Sequence, residues 1–114
     1  MKDDRVHLRH ILECIAAIRE YVAAGRATFV TDRKTRKAVL RELQEMAEST
    51  QRLSDECKQR HPSVPWRDIA GFRNVLVHDY LGLNLKRIWN IVEHDVPELE
   101  TQIRSALDFG NNSG

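Results

Sequence analysis

Apolar residues recur at steps of three and four along three long stretches, and this spacing constrains the fold more than any other feature. Such a spacing lines up side chains on one face of an α-helix, whereas a strand requires alternation. The first stretch runs from about Asp4 to Gly25 and carries Leu8, Ile11, Leu12, Ile15, Ile18 and Val22. The second begins at Thr31-Asp32, continues to about Gln59 and carries Val39, Leu40, Leu43, Met46, Ala47, Thr50 and Leu53. The last begins at Leu85, continues to about Phe109 and carries Ile88, Trp89, Val92, Val96, Leu99, Ile103 and Leu107.

Prolines divide the chain at two places. His61-Pro62-Ser63-Val64-Pro65 cannot continue a helix, because proline lacks the amide donor and restricts the residue before it. A further helix then begins at Trp66. Pro97 falls inside the last stretch, where it removes one helical hydrogen bond and predicts a kink between Glu93 and Pro97. The sequence therefore predicts an all-α fold of four main helices.

Length and composition indicate one globular domain. With 114 residues, 41% of them apolar and 31% charged, the chain can bury a single modest core. We predict a domain over residues 1–110 and a flexible tail over residues 111–114. Cys14 and Cys57 follow no recognisable signal peptide, and no apolar run is long enough to cross a membrane, so reduced thiols and a cytoplasmic location are expected. A net charge of +1 favours no class of partner by itself.

The polar segment from Arg73 to Tyr80 is the candidate functional site. At about 100° per residue, Arg73, Asn74 and His78 share one arc of the helix. The opposite side carries Ile69, Phe72 and Leu76 and is predicted to face the core. Asn74 and His78 are four residues apart, so the amide is placed to hydrogen-bond the imidazole and fix its tautomer. Gly71 lies on the same arc, where the missing side chain leaves space for another backbone.

The geometry of this arc also sets a limit. Arg73 and His78 lie about 140° apart on a helix. Their tips therefore meet only if the helix frays at His78 or if a second copy of the chain supplies one of them. Tyr80 returns close to Arg73 only if the helix continues that far.

These residue types fit a phosphate site. An imidazole can act as base or acid near neutral pH, and a guanidinium offers a fork of donors that matches phosphate oxygens. Asn74 would orient His78 or donate to the phosphate, and Tyr80 would hydrogen-bond it. The alternative remains open that His78 is structural and that Arg73 pairs with Asp79 or another nearby acid.

Four other groups have a structural and a functional interpretation. Arg33, Lys34, Arg36 and Lys37 form either a solvated helix start or a rim that contacts RNA phosphates. His7 and His10 face solvent or bind a metal, and without a carboxylate or thiol cluster nearby we favour solvent. Trp66 and Trp89 are core or interface aromatics, with base stacking as the alternative. Cys14 and Cys57 could be catalytic thiols, but nothing basic is placed to activate either, so we favour a structural role.

The string Arg73-Asn74-x3-His78-x-Tyr80, flanked by Pro65-Trp66-x2-Ile69, Trp89 and Asp95-Val96-Pro97-x-Leu99, resembles the HEPN superfamily and specifically the HepT-like toxins. The resemblance covers roughly residues 3–109. It implies an antiparallel helical bundle, a homodimer or higher oligomer with facing motifs, and metal-independent cleavage of RNA without a cofactor. It also implies a small nucleotidyltransferase antitoxin, of the kind called MntA, that attaches AMP to the motif tyrosine, here Tyr80.

Three functional classes follow from the sequence. The first is an endoribonuclease toxin that uses Arg73, Asn74, His78 and Tyr80. The second is a non-catalytic HEPN module that docks a nucleotidyltransferase or a nucleotide, and the near-neutral charge favours it. The third is a purely structural helical bundle, which would tolerate loss of Arg73 and His78.

Overall fold

The computed structural model describes residues 3–112, except for the side chains of Tyr80 and of residues 110–112. This part of the chain is helical and contains no strand. The helices are α1 (Asp4–Tyr21), α2 (Arg26–Thr31), α3 (Arg33–Gln51), α4 (Asp55–Arg60), α5 (Trp66–His78), α6 (Leu85–Asn90) and α7 (Val96–Asn112). A 3₁₀ turn (Tyr80–Gly82) follows α5, and a π-helical turn (Ile91–Asp95) joins α6 to α7. The predicted all-α class is confirmed.

The first predicted helix is shorter than expected and is followed by a helix that the sequence did not reveal. α1 ends at Tyr21 instead of near Gly25, and Gly25 adopts a φ of 99°, which no right-handed helix contains. Gly25 instead precedes α2, a six-residue helix whose Phe29 is fully buried. The ring of Phe29 lies 5.6 Å from that of Trp89. A helix this short offers too few residues for a periodic pattern.

The second predicted helix is two helices. Asp32 caps the start of α3 as expected, because its carboxylate accepts from the amide of Thr35 at 3.1 Å. The helix ends at Gln51 and not near Gln59, because Ser54 begins a new one. The Ser54 hydroxyl accepts from the amide of Cys57 at 3.1 Å and donates to Asp4 at 2.6 Å. The contact with Asp4, fifty residues away, is invisible to a local pattern.

The interruption near Pro97 takes the form of a π turn. The amide of Val96 donates to the carbonyl of Ile91, five residues back, within the turn Ile91–Asp95. The predicted break is thus in the expected place. His94 Nδ1 lies 3.1 Å from the carbonyl of Asn90, one turn back in the same helical segment. α7 continues through Asn112, beyond the predicted end near Phe109. The predicted tail comprised residues 111–114, and two of these, 113 and 114, lie outside the described part of the chain.

α3 is the central helix of the bundle. It packs antiparallel to α1, where His10 meets Ser49 and Asp4 meets Ser54, and antiparallel to α5, where Glu48 meets Arg73. α1 also packs against α7, with Arg19 paired to Glu100. The fully buried side chains of the core include Ile11, Ile15, Ile18, Phe29, Val39, Leu43 and Ile103. Within the described residues, none of the helices is both long and apolar enough to span a bilayer.

Candidate functional site

The motif helix α5 is fixed at its start and along one face. The indole Nε1 of Trp66 donates to the carbonyls of Lys58 and His61, each at 3.1 Å, which anchors the first turn. Leu76 is buried, and Ile69 and Phe72 pack against the core as the helical wheel predicted. The opposite side of α5 therefore faces outward with the polar residues of the motif.

Arg73 is held by an acid that the sequence analysis did not identify. Its Nε and Nη2 both donate to Glu48 Oε2 on α3, each at 3.3 Å. Gln44 Nε2 donates to the same oxygen at 3.2 Å. The two side chains of the ion pair are each about one-third exposed, at 32% and 31%. Glu48 lies twenty-five residues from Arg73, so only the packing of α3 on α5 reveals the pair.

Asn74 does not have the predicted partner. Its Oδ1 accepts from Arg73 Nη1 at 3.3 Å, and no bond joins it to the imidazole of His78. The amide thus orients the guanidinium and not the histidine. Of the five N–H donors of Arg73, two have no acceptor among the residues that the structure describes. These donors are available to a phosphate at the surface.

His78 is the last residue of α5 and is exposed. No described group hydrogen-bonds to its ring. Because α5 stays helical through His78, the frayed arrangement considered above does not occur, and Arg73 and His78 point in different directions within one chain.

The segment after His78 turns sharply. α5 ends there, so Tyr80 does not lie on the helix with Arg73, and its side chain is outside the described residues. The amide of Gly82 donates to the carbonyl of Asp79 at 3.1 Å, and the carboxylate of Asp79 lies against Gly82. A Cβ at Gly82 would come within 2.6 Å of Asp79 Oδ1, so a larger residue would displace that side chain. Gly71, in contrast, has no described atom outside the backbone of its own helix and its chain neighbours within 4 Å of such a Cβ.

Apolar side chains beside the motif remain exposed. Val75 and Val77 on α5 are 44% and 38% exposed, and Leu81 in the 3₁₀ turn is 97% exposed. Single exposed apolar residues are ordinary, but these three fall within seven positions of one another around His78. Val75 and Val77 are two residues apart and therefore lie about 160° apart around α5, so only Val77 shares the polar side with Arg73 and His78.

Basic side chains lie along α3 next to α5. Lys37 and Arg41 line a shallow groove together with Leu40, Gln44 and the motif residue Leu76. Arg41 is paired with Glu45 at 2.8 Å, whereas Lys37 has no ion-pair partner in the described part of the chain. Of the predicted cationic run at the start of α3, Lys37 thus lies in the groove beside the motif.

A larger groove lies at α2 and α6 and contains no motif residue. It is lined by Arg26, Asn84, Lys86, Arg87, Trp89, Asn90 and Glu93. Trp89 is buried against Phe29, which confirms the core interpretation of this tryptophan. This groove is a second cationic surface, distinct from the motif.

The cysteines are not poised as nucleophiles. Burial, together with Glu42 and Glu45, raises the pKa of the Cys14 thiol to about 12. Burial and Asp4 raise the pKa of Cys57. Both thiols are therefore protonated at neutral pH, as expected for groups without an activating base.

Comparison with known proteins gives a consistent result. Residues 11–106 match the family model described as Ribonuclease HepT-like. A protein of Caldanaerobacter subterraneus subsp. tengcongensis named "Putative RNase" is 37% identical over 108 residues, which span 94% of this chain and 96% of that protein. A "Probable ribonuclease HepT" of Thermococcus cleftensis is 34% identical over 95 residues, spanning 82% of this chain and 86% of the relative. A "Putative RNase" of Methanocaldococcus jannaschii is 37% identical over 117 residues, spanning 98% of this chain and 97% of that protein. No solved structure matches the chain significantly.

Proposed function

The chain belongs to the HepT-like ribonuclease family, and from that premise we propose that it is an endoribonuclease toxin whose site is built around Arg73 and His78. The observation that carries the proposal is the state of these two groups. Arg73 is oriented by Glu48 and Asn74, and two of its N–H donors have no acceptor among the described residues. His78 is exposed. A purely structural pair would be expected to use its donors internally.

The reaction we propose needs no metal. A base removes the proton of the ribose 2′-hydroxyl, the 2′-oxygen attacks phosphorus, and the bond from phosphorus to the 5′-oxygen breaks. The leaving 5′-oxygen then takes a proton from an acid. His78 is suited to these proton transfers near neutral pH, and Arg73 stabilises the charge that develops on the phosphoryl oxygens. Asn74 positions the guanidinium, and Tyr80 contributes a phenol at the rim of the site.

We propose further that two copies of the chain complete the site. Arg73 and His78 diverge on one helix, and one histidine cannot easily act as both base and acid in the same turnover. A facing subunit would supply a second histidine and a second arginine. The exposed apolar side chains of Val77 and Leu81, which flank His78 in the sequence, support this arrangement, because a second copy would remove them from water.

The test is cleavage of single-stranded RNA or transfer RNA by the purified protein in the presence of EDTA. His78→Ala and Arg73→Ala are each expected to abolish cleavage. Arg67→Ala is the matched control, since it removes an exposed arginine from the same helix. Full activity in His78→Ala, or loss of activity in EDTA alone, would contradict the assignment.

Control of the toxin by a nucleotidyltransferase is a separate part of the proposal. The phenol of Tyr80 would attack the α-phosphate of ATP on an MntA-like antitoxin, forming Tyr80-AMP and releasing pyrophosphate. The added negative charge and the adenosine would occupy the space of the substrate phosphate. Intact mass after incubation with the antitoxin and ATP is expected to rise by one AMP, and Tyr80→Phe is expected to stay unmodified. An adduct on Tyr80→Phe would refute the assignment of the tyrosine.

A non-catalytic binding module is the second candidate. The near-neutral net charge favours it, because phosphate contacts normally dominate affinity for nucleic acid. In that case the chain would bind a nucleotidyltransferase or a nucleotide, leave RNA intact and cause no growth arrest on expression. The RNA cleavage assay in EDTA separates the two candidates.

A further inference from the structure

A cluster of three side chains with metal-binding chemistry lies between α1 and α3. His10 and Cys14 come from consecutive turns of α1, and Glu45 comes from α3. The ligand atoms of all three lie within 4.8 Å of one another. His10 Nε2 is 3.8 Å from Cys14 Sγ and 3.6 Å from Glu45 Oε1. His7, which the sequence analysis paired with His10, is not part of this cluster.

These distances are close to those of a tetrahedral zinc site. With bonds of about 2.3 Å to sulfur and about 2.05 Å to nitrogen and oxygen, a tetrahedral angle separates sulfur from nitrogen by about 3.6 Å. The same geometry separates nitrogen from oxygen by about 3.4 Å. The two distances from His10 Nε2 thus match the site to within about 0.3 Å, and the distance from Cys14 Sγ to the Glu45 carboxylate, at most 4.8 Å, would shorten to about 3.6 Å through side-chain rotation.

The surroundings of the cluster are also typical of a metal site. His10 Nδ1 lies 2.6 Å from the hydroxyl of Ser49, which is buried. When Nδ1 donates to this hydroxyl, Nε2 keeps its lone pair for the ion, as ligating histidines commonly do. Glu45 Oε2 accepts from Arg41 at 2.8 Å, which fixes the carboxylate while Oε1 faces His10.

The choice of ion follows from the ligand types. A thiolate, an imidazole and a carboxylate together suit zinc, whereas magnesium and calcium prefer oxygen ligands alone. The side chains of His10 and Glu45 are 41% and 31% exposed, so an ion can enter from solvent. Binding must displace the thiol proton of Cys14, and two positive charges on the ion compensate the carboxylate and the resulting thiolate.

We propose that His10, Cys14 and Glu45 bind a zinc ion that links α1 to α3, with Glu42 or a water as the fourth ligand. The ion would stabilise the bundle and would contact neither Arg73 nor His78. The proposal is thus independent of the ribonuclease assignment and compatible with RNA cleavage that needs no metal. The competing arrangement is a metal-free hydrogen bond from the Cys14 thiol to His10.

The experiment is a titration of the chelator-treated full chain with zinc, and separately with cobalt as a spectroscopic probe. We expect one equivalent to bind, with a thiolate-to-cobalt charge-transfer absorption. Zinc at about 100 times its dissociation constant should raise the melting temperature by about 10 °C. His10→Gln and Glu45→Gln are expected to weaken binding at least tenfold, and Cys14→Ser to remove the charge-transfer absorption. His7→Gln and Cys57→Ser are the matched controls and should bind as the wild type does.

The results that overturn the proposal are equally specific. They are the absence of stoichiometric binding by the wild type, or unchanged binding by His10→Gln and Glu45→Gln. Cys14 is buried, so Cys14→Ser can reduce stability for reasons unrelated to a metal. The two half-exposed positions decide the outcome in that case, because their substitution leaves the core intact. Because metal binding is measured directly, an inactive ribonuclease would not affect the result.

Discussion

The contact between Glu48 and Arg73 allows positioning of the proposed site to be separated from stability. One carboxylate oxygen receives two bonds from Arg73 and one from Gln44. In Glu48→Ala the guanidinium keeps only its bond to Asn74, a neighbouring residue on the same exposed surface. We therefore expect the guanidinium to sample several rotamers and to lose its orientation toward a phosphate.

The expected effects on stability and activity differ in size. Both partners are about one-third exposed, so the screened ion pair contributes about 0.5–1 kcal/mol to folding. A group displaced by about 1 Å from its productive position can cost about 100-fold in rate. We expect kcat/KM for RNA cleavage to fall by about 10- to 100-fold, which is about 1.4–2.7 kcal/mol of transition-state stabilisation. Loss of under about 1 kcal/mol leaves nearly all molecules of an ordinary domain folded, so unfolding cannot account for such a decrease.

The assay compares initial rates of RNA cleavage with urea unfolding for the same preparations. Glu100→Ala is the matched control, because Glu100 is also an acid paired with arginines, Arg19 and Arg104, and is only 15% exposed. It should lose more stability than Glu48→Ala and cleave RNA at the wild-type rate. Glu48→Gln retains an acceptor without the charge, so it should fall between Glu48→Ala and the wild type.

Two results would refute this reasoning. Wild-type kcat/KM in Glu48→Ala would mean that the orientation of Arg73 does not matter for cleavage. An equal loss of activity in Glu100→Ala would mean that the rate follows general stability and not the geometry of the motif.

Three further predictions concern assembly, pH and capping. Val77→Asp should shift the proposed dimer to monomer in light scattering, whereas Val6→Asp, which places the same charge at an exposed valine of α1, should not. If Val77→Asp remains a dimer, the interface lies elsewhere. The hydrogen bond from Arg19 holds the pKa of Glu100 below its ordinary value of 4.5, so the stability that this ion pair contributes is present above that pH and is lost as the pH falls through the lowered pKa. In urea unfolding from neutral to acid pH, Glu100→Ala should therefore lose less free energy of unfolding than the wild type. Ser54→Ala should destabilise the protein by about 1–2 kcal/mol, because it removes the cap of α4 and the bond to Asp4; a change under about 0.3 kcal/mol in urea unfolding would contradict this.

Local patterns predicted the long helices and those of their ends that are set by nearby residues. The start of α3 at Asp32, the start of α5 at Trp66 and the break before Pro97 all depend on capping or proline chemistry within a few residues. The division of the second helix at Ser54 depends instead on Asp4, which is remote in sequence. Helix α2 was missed because Phe29 is its only buried residue, and a single apolar position has no period.

The same distinction applies to the candidate site. The wheel correctly separated the buried side of α5 from its polar side, since that depends only on helical geometry. It could not identify Glu48, and it assigned the amide of Asn74 to His78, four residues on, when the guanidinium of Arg73 is the partner. Similarly, His10 and Cys14 are four residues apart on one face of α1, and this spacing is detectable in the sequence. The third residue of the cluster, Glu45 on α3, comes close to them only when the two helices pack.

The two principal groups of the motif differ in how far a single chain prepares them. Arg73 is fixed by a residue of the central helix, so its orientation does not require a second copy. His78 ends its helix without a partner among the described residues, between Val77 and the fully exposed Leu81. Assembly through the surface around Val77 and Leu81 would therefore act mainly on the histidine, by fixing its ring and lowering its exposure to water. In a site completed by two copies, the rate of RNA cleavage per chain should therefore fall on dilution as the dimer dissociates.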